Sequence, residues 1–156
     1  MTSNDHRTVR LTLTSTPEMP DFVQVVGDHI ARSIGLEGDA LHWVGVALRE
    51  CVVNAIKHGN RFDPTRQVFV EFVVRLAGSC PELSIRVRDQ GEGFDPEDVA
   101  DPLAPENLLK TSGRGIFLMR SFMDDVLVQR ASEGGMEVVM VKRCPPAGAA
   151  GDPAQA

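Results

Sequence analysis

The sequence predicts an α+β fold, a two-layer sandwich in which a mixed, mostly antiparallel sheet carries helices on one face. Apolar and polar residues alternate through Val68, Val70, Phe72, Val74 and Leu76, and again through Leu83, Ile85 and Val87, with Ser84, Arg86 and Arg88 between. Such alternation marks antiparallel strands with one solvated face, since strands of a parallel sheet are apolar on both sides. Two earlier segments show the helical period instead. A third follows a glycine-rich stretch past residue 112, and helices stacked on one face of such a sheet make two layers.

Taken in order, Val9, Leu11 and Leu13 mark a first strand. Pro17 opens a helix whose apolar stripe runs Phe22, Val25, Val26, His29, Ile30 and Ile34, and Gly35 and Gly38 end it. Asp39 is the expected N-cap of a second helix, which lays Leu41, Val44, Leu48, Cys51, Val52 and Ala55 along one face and breaks at Gly59. Gly78, Ser79 and Pro81 join the two alternating strands as a hairpin. Residues 94–112 hold Pro96, Pro102 and Pro105 and no long period, so they read as an irregular loop with room for one helical turn. Loops of that length are uncommon unless functional. A helix after Gly115 turns Ile116, Met119 and Met123 inward, and two strands near 126–130 and 136–143 flank a Gly134-Gly135 turn.

With 156 residues the chain suits one domain, expected over residues 1–143, and residues 144–156 read as a disordered tail rich in Pro, Ala and Gly. A net charge of −6 argues against direct nucleic-acid binding, because the surface field repels phosphate backbones. Cys51, Cys80 and Cys144 form no CxxC pair and have no neighbouring histidines, so they read as buried or incidental thiols. No signal-peptide core and no membrane-spanning apolar run is present, and a reducing cytoplasm fits both facts.

Three constellations carry chemistry. In ALRECVVNAIKHGN, Glu50, Asn54 and His58 recur at spacing four on one helix face, flanked by Trp43, Val46 and Val53, which are poor neighbours for a fully solvated surface. Something is expected to cover that face. In VRDQGEGFDP a strand ends in Asp89 and opens into Gly91 and Gly93, whose freedom lets the backbone approach a ligand while Asp89, expected to face solvent in a pocket, accepts a hydrogen bond from an exocyclic amine. In TSGRGIFLM a glycine pair leads into a helix, whose free N–H groups and positive dipole end suit phosphate, and Arg114 adds a fixed charge. Read singly, the Glu is an ordinary solvated side chain, DxGxG an ordinary turn, and the last a loop before a core helix. No P-loop or dinucleotide fingerprint is present.

In this order the three resemble the superfamily of gyrase, heat-shock chaperone and histidine kinase ATPases (GHKL), and within it most closely the anti-sigma-factor serine/threonine kinases, over about residues 8–143. The resemblance implies a Bergerat, or histidine kinase-like ATPase, fold with ATP and magnesium as cofactors. It implies Glu50 as catalytic base, Asn54 as a magnesium ligand, Asp89 as the reader of adenine, Gly91 and Gly93 on the adenine side, and Gly113, Arg114 and Gly115 on the phosphate side. Residues 94–112 become a lid. His58 reads as a helix-end structural residue. The family's Gly-Thr before the last strand is Gly135-Met136 here, which leaves Asp89 with more of the adenine recognition.

The function implied by the resemblance is that of an ATP-dependent kinase that binds a sigma factor and phosphorylates a STAS-type anti-sigma-factor antagonist, as a homodimer. The alternative is a nucleotide-binding regulatory module that sequesters a partner without transfer, and the retention of Glu50 speaks against it. The catalytic half of a histidine kinase is disfavoured because no helical segment with a phosphoacceptor histidine precedes the domain.

Overall fold

Each alternating segment becomes a strand whose apolar residues share one face. The computed structural model describes residues 5–76, 78, 80–93 and 119–144. Its elements are β1 (His6–Thr14), α1 (Met19–Ser33), α2 (Gly38–Asn54), β2 (Gln67–Arg75), β3 (Glu82–Arg88), β4 (Asp125–Arg130) and β5 (Met136–Arg143), with a π-helical turn, Ala55–Gly59, prolonging α2. Residues 119–122 are also helical. The lid segment 94–112, Gly113, Arg114, Gly115 and Ile116, and the tail from 145 lie outside the described residues.

The strands form one sheet in the order β1-β2-β3-β5-β4. All four pairings are antiparallel, with Val70 opposite Leu11 and Val87, and Ile85 opposite Met140. The expected parallel pairing is therefore missing among the described residues. The long connection after β3 does return β4 in the direction of β3, but β5 hairpins back and inserts between them. Strand β2 stops at Arg75, and Leu76, placed in the strand by its alternation, lies exposed beyond it.

The inner face of the sheet buries Val68, Val70, Phe72, Val74, Leu83, Ile85, Val87 and Met140 against the helices. The outer face carries ion pairs such as Arg10–Glu71 at 2.7 Å and Arg86–Glu137 at 3.2 Å. Exposed pairs are worth about 0–1 kcal/mol each, so burial on the inner face holds the layers together.

Helix α1 corrects two expectations. It starts at Met19 after Pro17, and its buried side runs Pro20, Val23, Gly27 and Ala31. Phe22 and Val25 are 61% and 70% exposed. Only Val26, Ile30 and Ile34 of the expected stripe pack on the core. The small residues decide the phase: Gly27 lies so close to Leu48 of α2 that a Cβ there would collide with it. Helix α2 begins at Gly38 with Glu37 in the N-cap place, so Asp39 sits in the first turn, where its charge complements the helix dipole, and does not cap. The expected inward stripe holds, with Val44, Leu48, Cys51, Val52 and Ala55 buried.

Met119 and Met123 are buried as expected. The Cys51 thiol contacts the sulfur of Met119 at 3.2 Å, and burial pushes that thiol far above its ordinary pKa, which leaves it unreactive. Cys144, expected in the tail, is buried and donates its N–H to the Pro81 carbonyl at 2.8 Å, so the core extends through it. All three cysteines are free, with Cys80 exposed. Among the described residues no helix is long and apolar enough to cross a membrane.

Candidate nucleotide-binding site

Helix α2 and the end of β3 meet at one place. The last α-helical residue is Asn54, and the π-helical turn beyond it delivers Gly59 against Asp89. Single-turn π segments of this kind recur at functional sites. A Cβ on Gly59 would run into the Asp89 carboxylate, and one on Gly91 would run into the Gly59 carbonyl, so the two glycines set how closely helix end and strand end approach.

Asp89 is 5% exposed, not a solvent-facing carboxylate as the sequence suggested. Its backbone continues the β3–β5 ladder by donating to the Met136 carbonyl at 3.0 Å. Its Oδ1 accepts the N–H groups of Gly91 at 2.9 Å and Met136 at 3.1 Å. Oδ2, which borders Gly59, accepts no hydrogen bond from a described residue. Burial pushes the Asp89 carboxyl above its ordinary value of 3.8, against the opposing pull of the Gly91 and Met136 N–H bonds and of Arg66 and Arg88. One oxygen is thus fixed by the fold, and the other accepts nothing from the described residues.

Gly59 and Met136, which border this carboxylate, line a cleft of about 410 Å³ together with His58, Asn60, Arg61 and Gly93, among others, while Asp89 itself is not one of its lining residues. Gly93 takes φ +74°, a conformation L side chains rarely adopt, and packs against Gly135, whose own φ of +82° brings it onto the Asp89 backbone. His58 is exposed on the rim of the cleft.

Glu50 and Asn54 lie back along α2, half-buried, and do not line this cleft. Among the described residues neither side chain makes a hydrogen bond. The expected cover over their face is present in part: Trp43, two turns before Glu50, stacks flat on Phe122 from the 119–122 helix, with ring centroids 4.0 Å apart. The structure therefore joins Asp89, Gly91 and Gly93 beyond the end of α2 and leaves Glu50 and Asn54, half-buried, further back along the same helix. No cluster of metal-ligating side chains occurs among the described residues. Sequence reasoning read Gly59 as a helix break and Gly135 as a turn residue without placing either in the site, and did not single out Asn60. The last stands beside Gly59 in the helix-ending His-Gly-Asn run, a signal that was visible but unread.

Comparison with known proteins matches residues 6–142 to the histidine kinase-like ATPase domain. The serine-protein kinase RsbW of Bacillus licheniformis is 32% identical over 81% of this chain and 81% of its own length. The anti-sigma F factor of Oceanobacillus iheyensis is 31% identical over 85% of this chain and 90% of its own. A crystal structure of the RsbU and RsbW domains of a Mycobacterium tuberculosis protein superposes with a TM-score of 0.58 at 14% identity, covering 90% of this chain and 34% of that longer one. At that identity it speaks for the fold alone. The chain belongs to the histidine kinase-like ATPase family, in its branch of anti-sigma-factor serine-protein kinases.

Proposed function

We propose that this protein is an ATP-dependent serine/threonine kinase that acts as an anti-sigma factor, holding a sigma factor and phosphorylating a STAS-type antagonist in a partner-switching system. The observation that supports the reading is the buried carboxylate of Asp89, one oxygen fixed by backbone N–H groups and the other bonded to no described residue, beside the end of the helix that bears Glu50 and Asn54. From Gly59 back to Glu50 that helix rises about 13 Å, which separates a base-binding end from a phosphate-binding end.

In this reading Asp89 Oδ2 accepts the exocyclic amine of adenine, and the glycines around it admit the flat base. Asn54 supplies an amide oxygen to magnesium, the ion that neutralises phosphate charge in phosphoryl transfer. Glu50, one turn earlier, accepts the proton of the attacking serine hydroxyl as general base. Gly113, Arg114 and Gly115 cradle the phosphates, and residues 94–112 close over them. The kinase works as a homodimer in the cytoplasm. Its test is recovery of partners from the native host with the unmodified chain, and then transfer of label from γ-labelled ATP. A labelled small antagonist bears the kinase out, whereas ATP and sigma-factor binding with no labelled partner leaves only a sequestering module.

A further inference from the structure

We propose that Asn60 is a positioning residue for the base-reading carboxylate, fixing the Asp89–Gly91 turn against the end of α2; this rests on the proposed role of Asp89 in reading the base. Asn60 is fully buried, at 0% exposure. Its amide nitrogen donates to Ser15 Oγ and to the Gln67 carbonyl, both at 2.9 Å, and its amide oxygen accepts the Gln90 N–H at 2.8 Å. Its own N–H closes the π-helical turn on the Ala55 carbonyl at 2.8 Å. One side chain thus ties the exit of β1, the entry of β2 and the residue after Asp89 to the end of the helix that carries Glu50 and Asn54.

The neighbours complete the clamp. Ser15 Oγ donates its proton to the Arg66 carbonyl at 2.7 Å, and the Gln67 N–H donates to Gln90 Oε1 at 2.7 Å, so Gln90 is held from both its backbone and its side chain. The site demands two donors and one acceptor on a short planar group, a set that asparagine meets, while an ionised aspartate has no donor and a serine a single one. Its effect on the ligand is indirect. With the Gln90 N–H fixed, the next N–H, that of Gly91, points at Asp89 Oδ1 and leaves Oδ2 for the base. Asn60 hydrogen-bonds neither oxygen of Asp89 and acts through Gln90.

The test is calorimetric titration of ADP into the unmodified chain, Asn60→Ala, Asn60→Asp and Asp89→Asn, at a temperature where circular dichroism shows each fully folded. Both Asn60 variants melt earlier, since each loses the bonds to Ser15 and Gln67. Asn60→Asp keeps the oxygen that accepts the Gln90 N–H, so its ADP affinity stays within about threefold of the unmodified chain, while Asn60→Ala loses about tenfold or more. Affinities that track melting temperature without regard to that oxygen overturn the proposal, as does an Asn60→Ala variant that binds ADP normally. Should Asn60→Ala not fold, amide exchange on the unmodified chain decides: Gln90 and Gly91 protected like the β2 amides supports the clamp, and exchange at the rate of open loops overturns it. If Asp89→Asn weakens ADP while Asn60→Ala does not, the positioning role alone falls. If Asp89→Asn has no effect, the base reading falls first and the positioning role with it.

Discussion

The last turns of α2 and the π-helical turn beyond them are built in opposite ways. At the Gly59 end, Asp89 is buried, bonded twice through one oxygen, and surrounded by glycines where any side chain would collide. Further back, Glu50 and Asn54 are half-buried and bonded to nothing described. A group that reads a flat, neutral base gains from being fixed beforehand, because little ordering entropy is then lost on binding. Groups proposed to meet a metal and a transferring phosphate serve only once those are present, so the proposal does not require them to be bonded to the described residues. Changes at the first place should therefore disturb affinity and fold together, and changes at the second should disturb metal-dependent binding and chemistry while leaving the fold intact.

The largest expected effect is on rate. Glu50→Gln keeps size and helix propensity but removes the proton acceptor, and a positioned general base contributes about 10²- to 10⁴-fold. Phosphotransfer to the antagonist should fall by that order while ATP affinity holds. Full transfer by Glu50→Gln would remove Glu50 from the chemistry and erase the contrast between the two places.

An intermediate effect is set by pH at the other place. Burial holds the Asp89 carboxyl above 3.8. Acidification therefore protonates it while ordinary carboxylates remain charged, and ADP affinity should drop by up to tenfold per pH unit below its pKa. Stability should move the opposite way. A folded-state pKa raised above the unfolded one favours the folded chain at low pH, and that contribution is lost as pH rises through the raised value. Comparing ADP titrations with melting curves between pH 7 and the acid limit of the fold separates the two; an affinity flat across that range would contradict the assignment.

The smallest expected effect is on stability. Asn54→Ala sits off the buried stripe in an α-helix, where alanine is the best former, so melting should shift by no more than about 0.5 kcal/mol in free energy. Nucleotide affinity measured with magnesium should fall to the level seen in excess chelator. A collapse of the thermal transition would instead make Asn54 a structural residue.

How much of the molecule was legible in the sequence depends on how each feature is encoded. Strands β2 and β3 were legible because alternation writes the buried face directly, and the Glu50 to Asn54 spacing was legible because one helix carries both. The phase of α1 was not, since Phe22 and Val25 share the helical spacing of a core stripe, while the residues that turn inward include Gly27 and Ala31, whose importance is closeness and not hydrophobicity. The burial of Asp89 was hidden as well. Its bonds come from backbone N–H groups, one of them on Met136, 47 positions away. Where the family has Gly-Thr, Met136 supplies its backbone N–H to Asp89, a role any residue but proline can fill.

The most direct test of the central claim, that Asp89 reads an exocyclic amine, changes the ligand and leaves the protein intact. Purine riboside diphosphate differs from ADP at the base only by a hydrogen in place of that amine, so the Asp89 carboxylate loses its donor. Losing a hydrogen bond to a charged group costs about 1.5–3 kcal/mol, and titrating the two nucleotides into the unmodified chain should give ADP the tighter binding by roughly ten- to a hundredfold. Equal affinities would contradict the claim.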